Sequence, residues 1–138
     1  MNSQAKGRNQ AVLVVDDDEL GTRGVCQMLG GMGYAVRATC DSEEALRAAV
    51  QYQPAVILVD LRMPTFDGHT IMRRLRSRGV EAAFVVISGS KDPNDIIDAV
   101  RNGASDYLLK PFSMASLMAA MGRAVELYEK RRIRSQPT

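Results

Sequence analysis

The sequence predicts a three-layer α/β fold with a parallel sheet in the middle. Five short apolar runs alternate along the 138 residues with five stretches of helical periodicity, the order that repeated βαβ units produce. The run AVILV at 55–59 is continuous, β-branched and without polar alternation, which is how a strand buried on both faces reads. Four of the runs end in polar groups: acids at Asp16, Asp17 and Asp18, one acid at Asp60, a hydroxyl at Ser88 and an amine at Lys110. Ligands of open parallel sheets bind outside the carboxyl ends of the strands, so these endings would share one edge. The connections are expected to be right-handed crossovers.

In chain order, MNSQAKGRNQ at 1–10 reads as a polar leader; it lacks the apolar segment of a secretory signal. The first strand follows, ending at the acids from Asp16. A helix is expected over 19–32, with Leu20, Val25, Met28 and Leu29 inward. Gly21, Gly24 and Gly30 weaken it by about 1 kcal/mol each relative to alanine. Gly31 or Gly33 stops it. The second strand is 34–40. Asp41 or Ser42 caps the next helix, with Ala45, Leu46, Ala49 and Val50 inward, and Pro54 ends that region.

The strand ending at Asp60 leads into a loop marked by Pro64, Asp67 and Gly68. A helix over 68–78 turns Ile71, Met72 and Leu75 inward and sends Arg73, Arg74, Arg76 and Arg78 to a solvated face. Gly79 closes it. After the Ser88 strand, Asp92 or Asn94 starts a helix with Ile96, Ile97 and Val100 inward, and Asn102-Gly103 turns the chain. Ser113 caps a last helix carrying Leu117, Met118, Met121, Val125 and Leu127 to about residue 130. The segment 131–138 reads as a basic tail or the start of a linker.

The length fits one domain, at 11–130, with one real core. The composition, 46% hydrophobic and 25% charged, is that of a globular protein, and a net charge of +2 is too small to argue for nucleic acid or membrane. Cys26 and Cys40 lack metal-ligand spacing and read as reduced core thiols of a cytoplasmic protein. No apolar stretch is long enough to span a membrane.

The four strand endings carry the chemistry. Carboxylates gathered without a cation repel, and one would stay protonated; a hard divalent cation with oxygen ligands, Mg2+, removes the conflict. Asp16 and Asp17 are the metal candidates, and Asp60 is ligand, nucleophile or both. An attacking Asp makes an acyl phosphate. Lys110 supplies a point charge suited to phosphate, Ser88 a hydroxyl donor, and Gly89 room for close approach. Each residue alone reads as a cap, turn or surface group; at four successive strand ends together they do not. Tyr107 reads equally as a packed edge-strand residue or a functional one. His69, without a partner in sequence, reads as an exposed bystander.

VVDDDE, LVDLRMPTFDG, VVISGS and DYLLKPF, spanning 14–112, resemble the receiver domains of bacterial two-component response regulators, of the chemotaxis-regulator type. The resemblance implies a flavodoxin-like, doubly wound sheet of five strands in the order 2-1-3-4-5, with helices on both faces. It implies that Asp60 accepts a phosphoryl group from a sensor histidine kinase or phosphotransfer protein. Mg2+ would be held by Asp16, Asp17, Asp60 and the backbone carbonyl of Arg62. Ser88 would be the switch hydroxyl, Lys110 the phosphate-pairing lysine, and Tyr107 the aromatic that turns inward on activation. Lys110-Pro111 would be a cis peptide. The domain would be a switch and no enzyme, with at most slow autophosphorylation and autodephosphorylation.

The expected partners are that phosphodonor, a downstream target or output domain, and a homodimer formed on phosphorylation; neither membrane nor nucleic acid is a direct partner. The chain reads as stand-alone or as part of a larger regulator or hybrid kinase. Two departures stand out: Gly89 where the family commonly has alanine, and the long cationic Arg62 beside the phosphoacceptor. Aspartyl-phosphate hydrolases of the haloacid dehalogenase type are a weaker resemblance. Their motif needs a second acid two residues beyond the nucleophile, where Arg62 stands.

Overall fold

The computed structural model describes residues 10–135. The elements run β1 (Ala11–Val15), α1 (Glu19–Gly31), β2 (Ala35–Thr39), α2 (Ser42–Tyr52), β3 (Val56–Asp60), α3 (Gly68–Ser77), β4 (Ala83–Ser88), α4 (Pro93–Arg101), β5 (Ala104–Leu109) and α5 (Met114–Ser135). The strands form one parallel sheet in the order β2-β1-β3-β4-β5, as the sequence led one to expect.

The layers follow from strand pleating, which sends successive side chains to opposite faces. Val12, Val14, Val56, Leu58, Val85 and Ile87 meet α1 and α5 through Leu29, Leu117 and Met121. Leu13, Val15, Ile57, Val59, Phe84 and Val86 meet α2, α3 and α4 through Leu46, Ile71, Leu75 and Ala99. With β3 and β4 buried along their whole length, both faces need apolar residues, so these strands show no alternation.

Helix starts are set by aspartates. Asp18, Asp41, Asp67 and Asp92 each accept a backbone N–H from the first turn of the helix that follows. Asp41 and Asp92 are therefore the caps, and Ser42 and Asn94 are not. Ser113 caps α5, accepting from the Ser116 backbone at 3.0 Å, as expected.

Several inward assignments are corrected. Ile96, Ile97 and Val100 are 39, 47 and 64% exposed; Ala99 alone of α4 is buried. Helix α4 packs on the edge strand β5, so only a narrow stripe of it meets the sheet. Leu20, Val50 and Met118 are likewise exposed, and so is Cys40, while Cys26 is half-buried.

Arg76 is the opposite case. It lies over the Phe84 ring at 4.4 Å and donates to the carbonyls of Val80 and Ala82 at 2.6 and 3.2 Å. Burial, with the nearby Arg131 charge, pushes its guanidinium down to about 10. The chain beyond 130 does not fray at once: α5 continues to Ser135, and Arg131 donates to the carbonyls of Glu81 and Ala82 at 3.4 and 3.0 Å. Of the leader, Gln10 is described. Its carbonyl accepts from Ala35 N at 3.0 Å, and its side chain donates to Glu129 at 3.0 Å. The remainder of the leader and residues 136–138 lie outside the described residues.

Candidate functional site

Parallel register brings the strand endings together. Val15 lies beside Val59, so Asp16 follows alongside Asp60. Asp60 lies beside Ile87, one residue before Ser88, and Ser88 lies beside Leu109, one before Lys110. Strand β3 is central, with β1 and β4 as its neighbours, so acids, hydroxyl and amine face one carboxyl edge.

Lys110 spans it. Its Nζ donates to Asp16 Oδ2 at 2.9 Å and to Asp60 Oδ2 at 2.8 Å. Asp16 and Asp60 are 2 and 7% exposed, so both carboxylates are nearly dry and each needs a compensating partner. Asp16 also accepts from Asp18 N at 3.0 Å, and Asp60 Oδ1 from Arg62 N at 2.9 Å. Burial pushes the Asp16 carboxyl above its ordinary range, against the lowering effect of Lys110. Burial works to lower the Lys110 ammonium, but the hydrogen bonds and charges of Asp60 and Asp16 outweigh it and hold the group up.

Asp17 stands exposed at the rim, and carboxylate oxygens of Asp16, Asp17 and Asp60 lie within 4.8 Å of one another. An all-oxygen set with excess negative charge suits a hard divalent cation such as Mg2+. The Lys110 ammonium, seated between two of the acids, shows that the site already organises around a cation.

The remaining candidates surround this centre. Ser88 is 1% exposed and its Oγ accepts from Ser90 N at 3.0 Å. Tyr107 packs against the core beneath α2, α3 and α4, and its hydroxyl donates to the Ser90 carbonyl at 2.9 Å. Gly89 is exposed, and a Cβ there would meet nothing within 4 Å, so no close backbone approach requires a glycine. Lys110-Pro111 is cis.

His69 is not an exposed bystander. Its side chain is 12% exposed; Nε2 lies 3.8 Å from Asp95 Oδ1 and Nδ1 3.5 Å from the Asn102 amide nitrogen. Asp95 in turn accepts from the Ser90 hydroxyl. His69, Asp95, Asp67, Asp17 and Arg62 line a cleft opening beside the acids. These partners come from different elements, so local sequence held no sign of them.

Gly68, which the sequence marks as the junction of loop and helix, carries the tightest constraint. A Cβ there would lie 2.5 Å from the Asp60 carbonyl oxygen and 3.0 Å from Leu61 Cα. Its N–H donates to the Leu61 carbonyl at 3.0 Å, closing the loop that follows Asp60. A glycine directly after the capping Asp67 was the only available signal.

Against known proteins, the family model described as response regulator receiver domain matches residues 12–122. The tetrathionate response regulatory protein TtrR of Salmonella typhimurium is 35% identical over 112 residues, 81% of this chain and 54% of that protein. The chain spans about half the length of the curated relatives it matches. Among solved structures, the receiver domain of sensor histidine kinase PA1611 from Pseudomonas aeruginosa, described with a magnesium ion coordinated in its active-site cleft, superposes with a TM-score of 0.78. It is 28% identical, over 86% of this chain and 98% of that one. A CheY-like receiver domain protein from Methanospirillum hungatei, 20% identical, shares the fold at a TM-score of 0.83, over 88% of this chain and 98% of its own.

Proposed function

The chain belongs to the response regulator receiver domain family, and from that premise we propose that it is a switch thrown by phosphorylation of Asp60. The observation that carries this reading is the buried Asp60 carboxylate held at 2.8 Å by Lys110, next to Asp16 and Asp17. Asp16, Asp17, Asp60 and the Arg62 carbonyl would hold Mg2+, which supplies charge neutralisation for the transferring phosphoryl group.

Asp60 Oδ attacks phosphorus as the bond to the donor's histidine nitrogen breaks, and the leaving imidazole keeps the electron pair. The donor is a sensor histidine kinase or a phosphotransfer protein. Lys110, already between the two acids, pairs with the new phosphoryl oxygens, and the Ser88 hydroxyl, which accepts from Ser90 N, donates its own hydrogen to one of them. Ser90 also holds the Tyr107 hydroxyl, so movement of this loop reaches β5 and α4.

Turning a population from 1:99 to 99:1 takes about 5.5 kcal/mol of differential binding. A few charge-assisted hydrogen bonds, each roughly twice a neutral one, supply a shift of that order. The exposed Ile96, Ile97 and Val100 of α4 offer an apolar surface for the output element or for a phosphorylation-dependent homodimer. The cytoplasm is the proposed place of action. A hydrolase reading is disfavoured, because Arg62 stands where a second acid is required.

The direct test is incubation with acetyl phosphate, with and without Mg2+, followed by intact mass. One phosphoryl adduct is expected, dependent on Mg2+ and absent from Asp60→Asn. Phosphate release without a trapped adduct would revive the hydrolase; a folded protein that takes no phosphoryl at all would leave only an interaction module.

The exposed Arg62 lines the cleft next to Asp60 and is expected to shield the adduct from water. Arg62→Ala should change the adduct's decay rate by several-fold; an unchanged rate removes that role.

A further inference from the structure

Ser42 opens α2 but does not cap it, since Asp41 does. It is 1% exposed, and its Oγ lies 2.7 Å from the Pro64 carbonyl and 2.8 Å from the Phe66 carbonyl. A serine hydroxyl carries one hydrogen, so the two carbonyls share it. They flank Thr65, whose φ is +75°. A β-branched residue in that region is strained and persists only where its surroundings over-determine it.

This turn lies in the loop 61–67, which leaves Asp60 and returns to Gly68. Two fastenings are internal: Phe66 N to the Pro64 carbonyl at 2.9 Å and Gly68 N to the Leu61 carbonyl at 3.0 Å. The Ser42 hydroxyl comes instead from another element, 22 and 24 residues away in sequence, and grips both sides of the strained residue. The same loop carries Arg62, whose N–H holds Asp60 Oδ1 at 2.9 Å.

We propose that Ser42 is a positioning residue for the phosphoacceptor site: it fixes the 61–67 loop so that the Arg62 backbone stays set against Asp60. The Mg2+ part of this rests on the function proposed above. Without the hydroxyl, the Pro64 and Phe66 carbonyls lose their shared donor and Thr65 is free to leave its left-handed conformation. The loop then loosens at its middle, while β1 and β3 keep their packing.

The test compares wild type, Ser42→Ala, Thr65→Gly and the double variant, each read by amide hydrogen exchange without metal and by Mg2+ titration. Ser42→Ala is expected to speed exchange at Arg62 and Gly68 about tenfold, the weight of one lost hydrogen bond, and to weaken Mg2+ binding similarly. Exchange inside β1 and β3 should stay unchanged. Thr65→Gly, which removes the strain, should blunt the effect of Ser42→Ala, and that background keeps the comparison readable if the single variant folds poorly.

Equal exchange and equal Mg2+ affinity in wild type and Ser42→Ala would overturn the proposal. So would faster exchange spread evenly over the sheet, which marks loss of packing. A wild type that binds no Mg2+ overturns the site reading instead, and exchange at Arg62 in the metal-free protein still decides the role of Ser42.

Discussion

Lys110→Met is expected to bind Mg2+ more tightly than wild type while losing the response to phosphorylation. The ammonium lies 2.9 Å from Asp16 and 2.8 Å from Asp60 and so competes with any cation for the same carboxylates. Removing it frees both acids for metal; a tenfold gain in affinity corresponds to about 1.4 kcal/mol. Without metal the variant suffers, because the nearly dry carboxylates of Asp16 and Asp60 lose the ammonium that offsets their charge. Its stability should therefore depend on Mg2+ far more than that of wild type. Phosphoryl uptake should fall about 10²-fold, as when one preorganised donor to developing charge is lost. Calorimetric Mg2+ titration, thermal melts with and without metal, and adduct kinetics check the three statements; unchanged Mg2+ affinity would contradict the competition.

The pH profile of the metal-free form adds a sign. The Lys110 ammonium is raised in the fold, so its contribution is full below the ordinary lysine value of 10.5 and is lost as pH climbs through the raised one. Asp16, also raised, acts in the same direction in an acidic window: from its ordinary 3.8 up to the raised value, ionising it costs stability. In Lys110→Met the alkaline loss should vanish and the Asp16 penalty should grow, since its lowering partner is gone. Melting temperature against pH measures both.

Gly68→Ala should be the most damaging single-methyl change near the site. The added Cβ would sit 2.5 Å from the Asp60 carbonyl oxygen, 3.0 Å from Leu61 Cα and 3.1 Å from the Asp60 carbonyl carbon. These are backbone atoms, so relief requires moving the end of β3 itself. Overpacking of this kind costs about 1–3 kcal/mol. A displacement of roughly 1 Å at a reacting group costs about 10²-fold in rate. Gly89→Ala is the control: its Cβ meets nothing within 4 Å, and both stability and phosphoryl uptake should stay near wild type. Denaturant midpoints and adduct kinetics on the pair would show whether Gly68 matters through contact with Asp60; equal behaviour of the two variants would deny it.

Much of this molecule was legible before any coordinates. Unalternating runs marked strands covered on both faces, 3.6-residue spacing marked the helices, and the polar residues ending four runs marked the candidate functional edge. These signals are local: a strand's face pattern and its last residue are set within a few positions, so they survive in one dimension.

What only the tertiary structure decided is what lies opposite each side chain. Spacing gave α4 an apolar stripe, but its place over the edge strand left Ile96, Ile97 and Val100 in solvent. Arg76 belonged by spacing to a charged face and instead stacks on Phe84 across the layer. His69, Gly68 and Ser42 take their meaning from Asp95, from the Asp60 carbonyl and from the Thr65 turn. Those neighbours arrive through sheet order and layer packing, and side-chain type with spacing carries no record of them. The sequence by itself determined which groups reach the carboxyl edge; the packing of the sheet determined that Lys110 holds Asp16 and Asp60 together there.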